Sequence, residues 1–403
     1  MAKNIILEYA LKNYPKMFRE PTGTGLPYKF IVPGSVYNNT LWDWDSWLTN
    51  IALSQFVTDD IKEYEIGCIL NALNMMDSKG RIPIYITPKF TREDYEKWGE
   101  TNIHKPCLAQ HAAFIVKKYN DVEWLRDHYA DLCRMTDYYM LKCRHEATGL
   151  YFWITDMAIG VDNDPSTFYR PARSSGSILL NCFMYKDLEA LCYLGDLLGV
   201  DCSKYKEEKE HLKAAVREHC WDEKDGTYYS VDLNLMPIDP RFHAGAPRHW
   251  DCVLERLGCW SNYLAMWAGI ATKEQAERMV KENLLDEKGH WAPYGVRSLS
   301  KYEKMYVVKA SGNPSCWLGP IWGISNYMVW RGLVNYGFIE EARVLGERTV
   351  KLFEQDIETS GELHEYYDPE SGEPILNPGF QNWNLLSINI KAWLDGEPVV
   401  EEF

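Results

Sequence analysis

Glycine-rich phosphate loops, a GxSxG elbow and HExxH-type metal runs are all missing from the 403 residues of this chain. Their absence removes P-loop phosphoryl transfer, α/β-hydrolase chemistry and zinc hydrolysis from the leading options. Basic residues are the minority, 43 against 58 acids, and form no cluster that could follow a phosphate backbone. With a net charge of −15, neither nucleic acid nor an anionic membrane surface is an expected partner. No stretch approaches about 18 uninterrupted apolar residues, so no segment is expected to span a bilayer. The opening MAKNIILEYALKNYPKMF has Glu8 inside its apolar run and no small-residue cleavage pattern, so it does not read as a secretory signal. The 11 cysteines are odd in number, widely spaced and free of any CxxC pair. Cys182 and Cys192 lie in apolar helical runs, where cysteine behaves as a small hydrophobe. A reduced, cytoplasmic protein without a zinc site or other cofactor is the expectation; a homo-oligomer stays open.

Apolar residues at spacings of three and four recur almost throughout. Segments 47–56, 61–76, 108–119, 124–145, 177–199 and 205–221 read as helices, as do 259–270, 273–284, 321–337, 339–355 and 383–396. Strand-like alternation is short and local, at RIPIYIT, GLYFWIT and GTYYSVDL. Some helix pairs are joined by a few residues, others by long segments such as 78–106, 147–175 and 285–318. Long ordered loops inside one domain are usually functional. No Pro- or Gly/Ser-rich linker divides residues 1–403, which are expected to form a single domain. A dozen helices with alternating short and long connections suit helical hairpins closed into a ring, the long loops gathered at one mouth.

Those loops hold most of the unusual composition. Aromatic residues reach 14% of the chain, and tryptophan and tyrosine in loops are what stacks on the apolar faces of sugar rings. Residues 42–47, WDWDSW, place Asp43 and Asp45 between tryptophans just before a helix. Either aspartate suffices as a helix cap, but a cap needs no tryptophan on both sides. NIHKPCLAQ puts Gln110 and His111 at the start of another helix, where a polar first turn facing solvent is the plain explanation. SGNPSCWLGPIW carries Trp317 and Trp322 into a third. Near the C-terminus, GELHEYYDPESGEP presents several acids. Asp368, Glu370 and Glu373 read as an exposed turn, whereas Glu365 is flanked by His364, Tyr366 and Tyr367 and is expected to be partly desolvated. GVDNDP, residues 160–165, sets Asp162, Asn163 and Asp164 side by side, which backbone preferences alone allow in a turn.

Hydrolysis of a glycosidic bond uses two carboxyl groups, one to protonate the leaving oxygen and one as base or nucleophile. LWDWDSW, HKPCLAQ, GVDNDP, SCWLGPIW and HEYYDPESGEP occur in the order found in glycoside hydrolase family 63 and trehalase-like enzymes, and over residues 30–395 the chain resembles them. The likeness is greatest to compact bacterial mannosylglycerate and glucosylglycerate hydrolases. It implies an all-α (α/α)6 barrel and an inverting, exo-acting, metal-independent α-glycosidase for a small carbohydrate, a disaccharide or glycosylglycerate. It places Asp162 as general acid and Glu365 as general base. Trp44 and Asp45 would grip the terminal sugar, with Gln110, Trp317, Tyr37, Tyr85, Trp322 and Trp383 in the pocket and Asn163 shaping the loop. The chain departs from the family pattern at Leu318, where relatives often carry arginine, and in the STFYRPARSSG continuation, where Arg170 and Arg173 follow. The other readings are a sugar isomerase or epimerase on the same barrel, and a catalytically silent carbohydrate-binding protein. An isomerase would draw on loop histidines, of which His104, His111, His243, His249 and His364 form no clear pair.

Overall fold

Two kinds of helix follow from two kinds of burial. In the computed structural model, residues 4–98, 101–236, 241, 248–309 and 314–403 are described; His243 lies outside them. Some helices bury an apolar stripe only. Such are α1 (Ile5–Asn13), α3 (Lys62–Asn74), α6 (Tyr129–Lys142), α8 (Ser203–His219), α10 (Lys273–Arg278) and α12 (Ile339–Ser360). In α8 the buried set is Tyr205, Glu208, Leu212, Ala215 and Val216, one face of a 3.6-residue period. The alternate helices are buried nearly all round. These are α2 (Asp43–Ser54), α5 (Leu108–Tyr119), α7 (Ile178–Leu198), α9 (Leu264–Trp267), α11 (Gly323–Asn335) and α13 (Ser387–Asp395). Every residue from Asp43 to Leu53 of α2 is buried, and so is every residue from Gly323 to Leu333 of α11. A helix apolar on all sides belongs inside a layer of others.

The buried helices form the inner ring. α2 packs on α5, α5 on α7, α7 on α9 and α9 on α11; α11 then meets the turn 382–386 that leads into α13, and that turn packs back on α2. The stripe-bearing helices lie outside: α3 against α5, α6 and α8 against α7, and α12 against α11 and α13, with α1 beside α12 and α13. The protein is an (α/α)6 barrel, as its helical periodicity and loop lengths led one to expect. One further helix, α4 (Arg92–Trp98), belongs to a connecting loop.

Local departures have local causes. Segment 259–270 reads as one helix, yet α9 is a single turn preceded by a 3-10 turn, Trp260–Tyr263. Cys259 is held extended by a bridge to Leu299, and Gly269 ends the helix in the left-handed region at φ +71°. Of GLYFWIT only Tyr151 pairs, in an isolated bridge with Arg144, and of RIPIYIT only Tyr85–Ile86 forms a strand. No described helix is long and apolar enough to cross a membrane. All 11 cysteines are free.

Candidate active site

The long segments preceding α2, α5, α7, α11 and α13 meet at one mouth of the ring and enclose a cavity of about 440 Å³. Such a volume falls in the range of small-ligand clefts. Asp162, Glu365, Tyr37, Trp44, Asp45, Tyr85, Trp317, Trp322 and Trp383 line it. Two residues expected there do not. Gln110 is wholly buried in α5, its amide donating to the Pro106 and Phe183 carbonyls, because α5 belongs to the inner ring and has no solvent face for its first turn. Asn163 turns away from the cavity and joins two loops.

The three polar residues of GVDNDP have separate tasks. Gly160 takes φ +64°, and a Cβ there would lie 2.6 Å from the Lys105 ammonium, so the loop crosses close over that side chain. Asp162 lines the cavity. Its burial pushes the carboxyl above the ordinary aspartate range, a rise opposed by hydrogen bonding with Ser315 and by the Lys105 charge. Asn163, at φ +56°, accepts the Trp317 backbone N–H at 2.9 Å and donates to the Ser315 carbonyl at 3.3 Å. Asp164 is buried and accepts from the backbone and hydroxyl of Ser166 at 2.8 and 2.7 Å, closing the turn from within.

Glu365 is carried by a two-strand pairing in which Trp322 lies opposite Tyr366. Its carboxylate accepts from the Tyr37 hydroxyl at 3.1 Å and from the Asn377 amide at 2.5 Å. Burial pushes it up to about 7, those two donors oppose the rise, and the charge of Asp162 adds to it. The flanking residues expected to desolvate it are engaged elsewhere: His364 and Tyr367 both bond to Asp356, and Tyr366 donates to the Pro314 carbonyl. Glu370 is not mere surface either, since it pairs with the buried Arg297 at 2.7 Å.

Asp45 receives a short hydrogen bond from the Asn382 amide, whose oxygen accepts from Thr49 at 2.9 Å. Burial first and neighbouring Asp43 second push Asp45 up to about 8, against the pull of Lys105. Neither aspartate is the N-cap of α2, which is Trp42; Asp43 is the first helical residue and accepts the Trp44 N–H at 2.7 Å. It also forms an ion pair with Lys105 at 3.0 Å in which both side chains are 0% exposed. The Lys105 ammonium lies 4.3 Å from the Trp44 ring centroid. One wall is a stack of rings: Trp317 and Trp322 are 3.9 Å apart with planes 6° from parallel, and Tyr366 continues it behind Trp322 at 4.9 Å. Trp42 stacks on Tyr85 at 4.8 Å, and both line the cavity.

Sequence reasoning missed Lys105, Trp42, Phe380, Met157 and Phe168 as lining residues, and Asn377 and Asn382 as supports. The lysine had a signal, the one lysine or arginine in the approach TNIHKPC to α5. The asparagines had none, because their partners are distant or depend on loop closure. No histidine lines the cavity among the described residues; His104 and His111 are buried, with His104 against the Lys105 carbonyl and His111 against Asn50. Nor do the described residues group three or more His, Cys, Asp or Glu side chains as a metal site. The arrangement supplies three carboxyl groups of different surroundings, Asp45, Asp162 and Glu365, at one aromatic-walled cavity. Glu365 accepts from two neutral donors, Tyr37 and Asn377; Asp162 is partly buried beside Ser315 and within reach of the Lys105 charge, both of which oppose its rise.

The family model for the mannosylglycerate hydrolase MGH1-like glycoside hydrolase domain matches residues 37–383. A probable trehalase from Eremothecium gossypii is 25% identical across 88% of this chain and 53% of its own length. A mannosylglycerate hydrolase from Thermus thermophilus is 26% identical across 56% of this chain and 47% of its own. The chain thus spans about half the length of the curated relatives it matches. The crystal structure of a family 63 mannosylglycerate hydrolase from Thermus thermophilus in complex with glucose superposes with a TM-score of 0.70. That match covers 95% of this chain and 98% of the other at 19% identity, a likeness of fold.

Proposed function

The chain belongs to the mannosylglycerate hydrolase MGH1-like glycoside hydrolases, and on that premise we propose that it is an inverting, exo-acting α-glycosidase for a small glucoside or mannoside. One observation carries the reading. Carboxyl groups from two loops far apart in the chain line the same cavity.

Asp162 is the general acid. Its proton passes to the glycosidic oxygen as the bond to the anomeric carbon breaks. Glu365 is the general base. It takes a proton from a water that attacks the opposite face of the ring, so substrate and water yield a free sugar of inverted configuration and the departing alcohol. Tyr37 and Asn377 hold the base in its ionised form, while Trp44, Asp45, Trp317 and Trp383 enclose the terminal sugar. Burial raises the strength of every charge interaction within such a site. Proton NMR during early turnover tests the stereochemistry: a first-formed β-anomer from an α-glycoside is expected, and a first-formed α-anomer rejects the mechanism.

A further inference from the structure

We infer that the group departing from the sugar is uncharged, a neutral sugar or polyol rather than an acid such as glycerate. The inference rests on the hydrolase reading and narrows it to a substrate class.

A glycerate carboxylate bound in a closed cavity needs a cation whose charge is not already matched. Among the described residues that line this cavity, Lys105 is the one lysine, and none is arginine. Its ammonium lies within 3.0 and 3.1 Å of the two Asp43 oxygens and faces the Trp44 ring and the Gly160 backbone, so it is enclosed by its own partners. Arg170, two residues beyond the lining Phe168, contacts Asp232 at 2.6 Å and Glu255 at 2.7 Å. Leu318 packs against the core. The residues outside the described set contribute one lysine, Lys3, and no arginine.

What does line the cavity disfavours another anion. Asp45, Asp162 and Glu365 are all there, and burial pushes each of the three upward. A substrate carboxylate would undergo the same loss of hydration and meet the charge that Glu365 must carry as base. Toward the outside the surroundings are neutral: Met157, which is 67% exposed, and Phe168 and Tyr85 give apolar faces, with Ser315 and Thr101 among them. Apolar faces with a few neutral polar groups match a polyol or a second sugar ring.

The test is a matched pair, 2-O-α-glycosyl glycerol and 2-O-α-glycosyl-D-glycerate, each made with glucose and with mannose. The two aglycones differ only in bearing CH2OH or a carboxylate. A kcat/KM about 100-fold or more in favour of the glycerol form is expected. Equal or faster cleavage of the glycerate form in either series overturns the inference. Met157→Arg, which sets a cation at the rim, is expected to narrow the ratio at least about tenfold; an unchanged ratio overturns charge as its cause. Calorimetric binding of both compounds to Asp162→Asn gives a readout independent of turnover, with tighter binding of the glycerol form expected and equal binding overturning the inference. Release of no sugar from any α-glycoside, aryl glycosides included, refutes the hydrolase reading instead.

Discussion

The side-chain oxygen of Asn163 accepts the backbone N–H of Trp317 at 2.9 Å, tying the loop that carries Asp162 to the loop that carries the stacked tryptophans. The tie runs between segments more than a hundred residues apart and leaves Asn163 at φ +56°, which asparagine tolerates better than most residues. Asn163→Gly keeps that backbone conformation and deletes both loop contacts. It is expected to lower kcat/KM roughly 10- to 100-fold through misplacement of Asp162, with the thermal midpoint within about 4 °C of the parent. Steady-state kinetics beside a melting curve decide it, and unchanged kinetics would remove Asn163 from the site's support.

Asp162→Asn and Glu365→Gln remove the proposed proton donor and the proposed proton acceptor with almost no change of volume. Each is expected to lower turnover roughly 100- to 10,000-fold while circular dichroism stays that of the parent. Near-normal turnover in either variant would contradict its assignment.

As the proposed base, Glu365 works only when ionised. With its carboxyl at about 7, kcat/KM is expected to fall as the pH drops below that value. Asn377 donates to the carboxylate and so favours the charged form. Asn377 sits at φ +49°, so Asn377→Gly removes the donor without straining the backbone. Loss of a donor raises the carboxyl's proton affinity, and the acidic limb of the profile is expected to move to higher pH by about half a unit or more. A lower kcat with an unmoved limb would mark Asn377 as a purely structural support.

The Asp43–Lys105 pair has both side chains fully buried, so breaking it from one side leaves a charge without compensation. Lys105→Met is expected to destabilise the fold by about 3–5 kcal/mol. Adding Asp43→Asn removes the stranded charge, keeps an acceptor for one of the two backbone N–H groups, of Trp44 and of Lys105, that donate to Asp43, and is expected to recover part of the loss. Denaturant unfolding of the single and double variants measures this. No recovery in the double variant would show that the lysine acts through packing alone.

Much of the barrel is legible along the chain. Periodicity of three and four marks the helices, and the alternation of short and long connections points to hairpins closed into a ring. It does not separate inner from outer helices cleanly: α2 and α11 are buried throughout, while α8 and α12 keep a polar face. Asp162, Glu365 and the tryptophans stand out because they are unusual residues in unusual loops. Gln110 looked like a polar first turn and is a core residue instead, because a helix of the inner ring has neighbours on every side.

By itself the amino-acid order determined the helical periods and the loop lengths, since each of these depends on neighbours a few positions away. The tertiary structure alone decided that Asn163 clasps Trp317, that Asn382 holds Asp45 and that Lys105 is matched by Asp43. These contacts join residues far apart in the chain, and a buried polar group is satisfied by whichever partner the closed ring brings within hydrogen-bond reach. That choice is made by packing in three dimensions, where periodicity in one dimension has nothing to say.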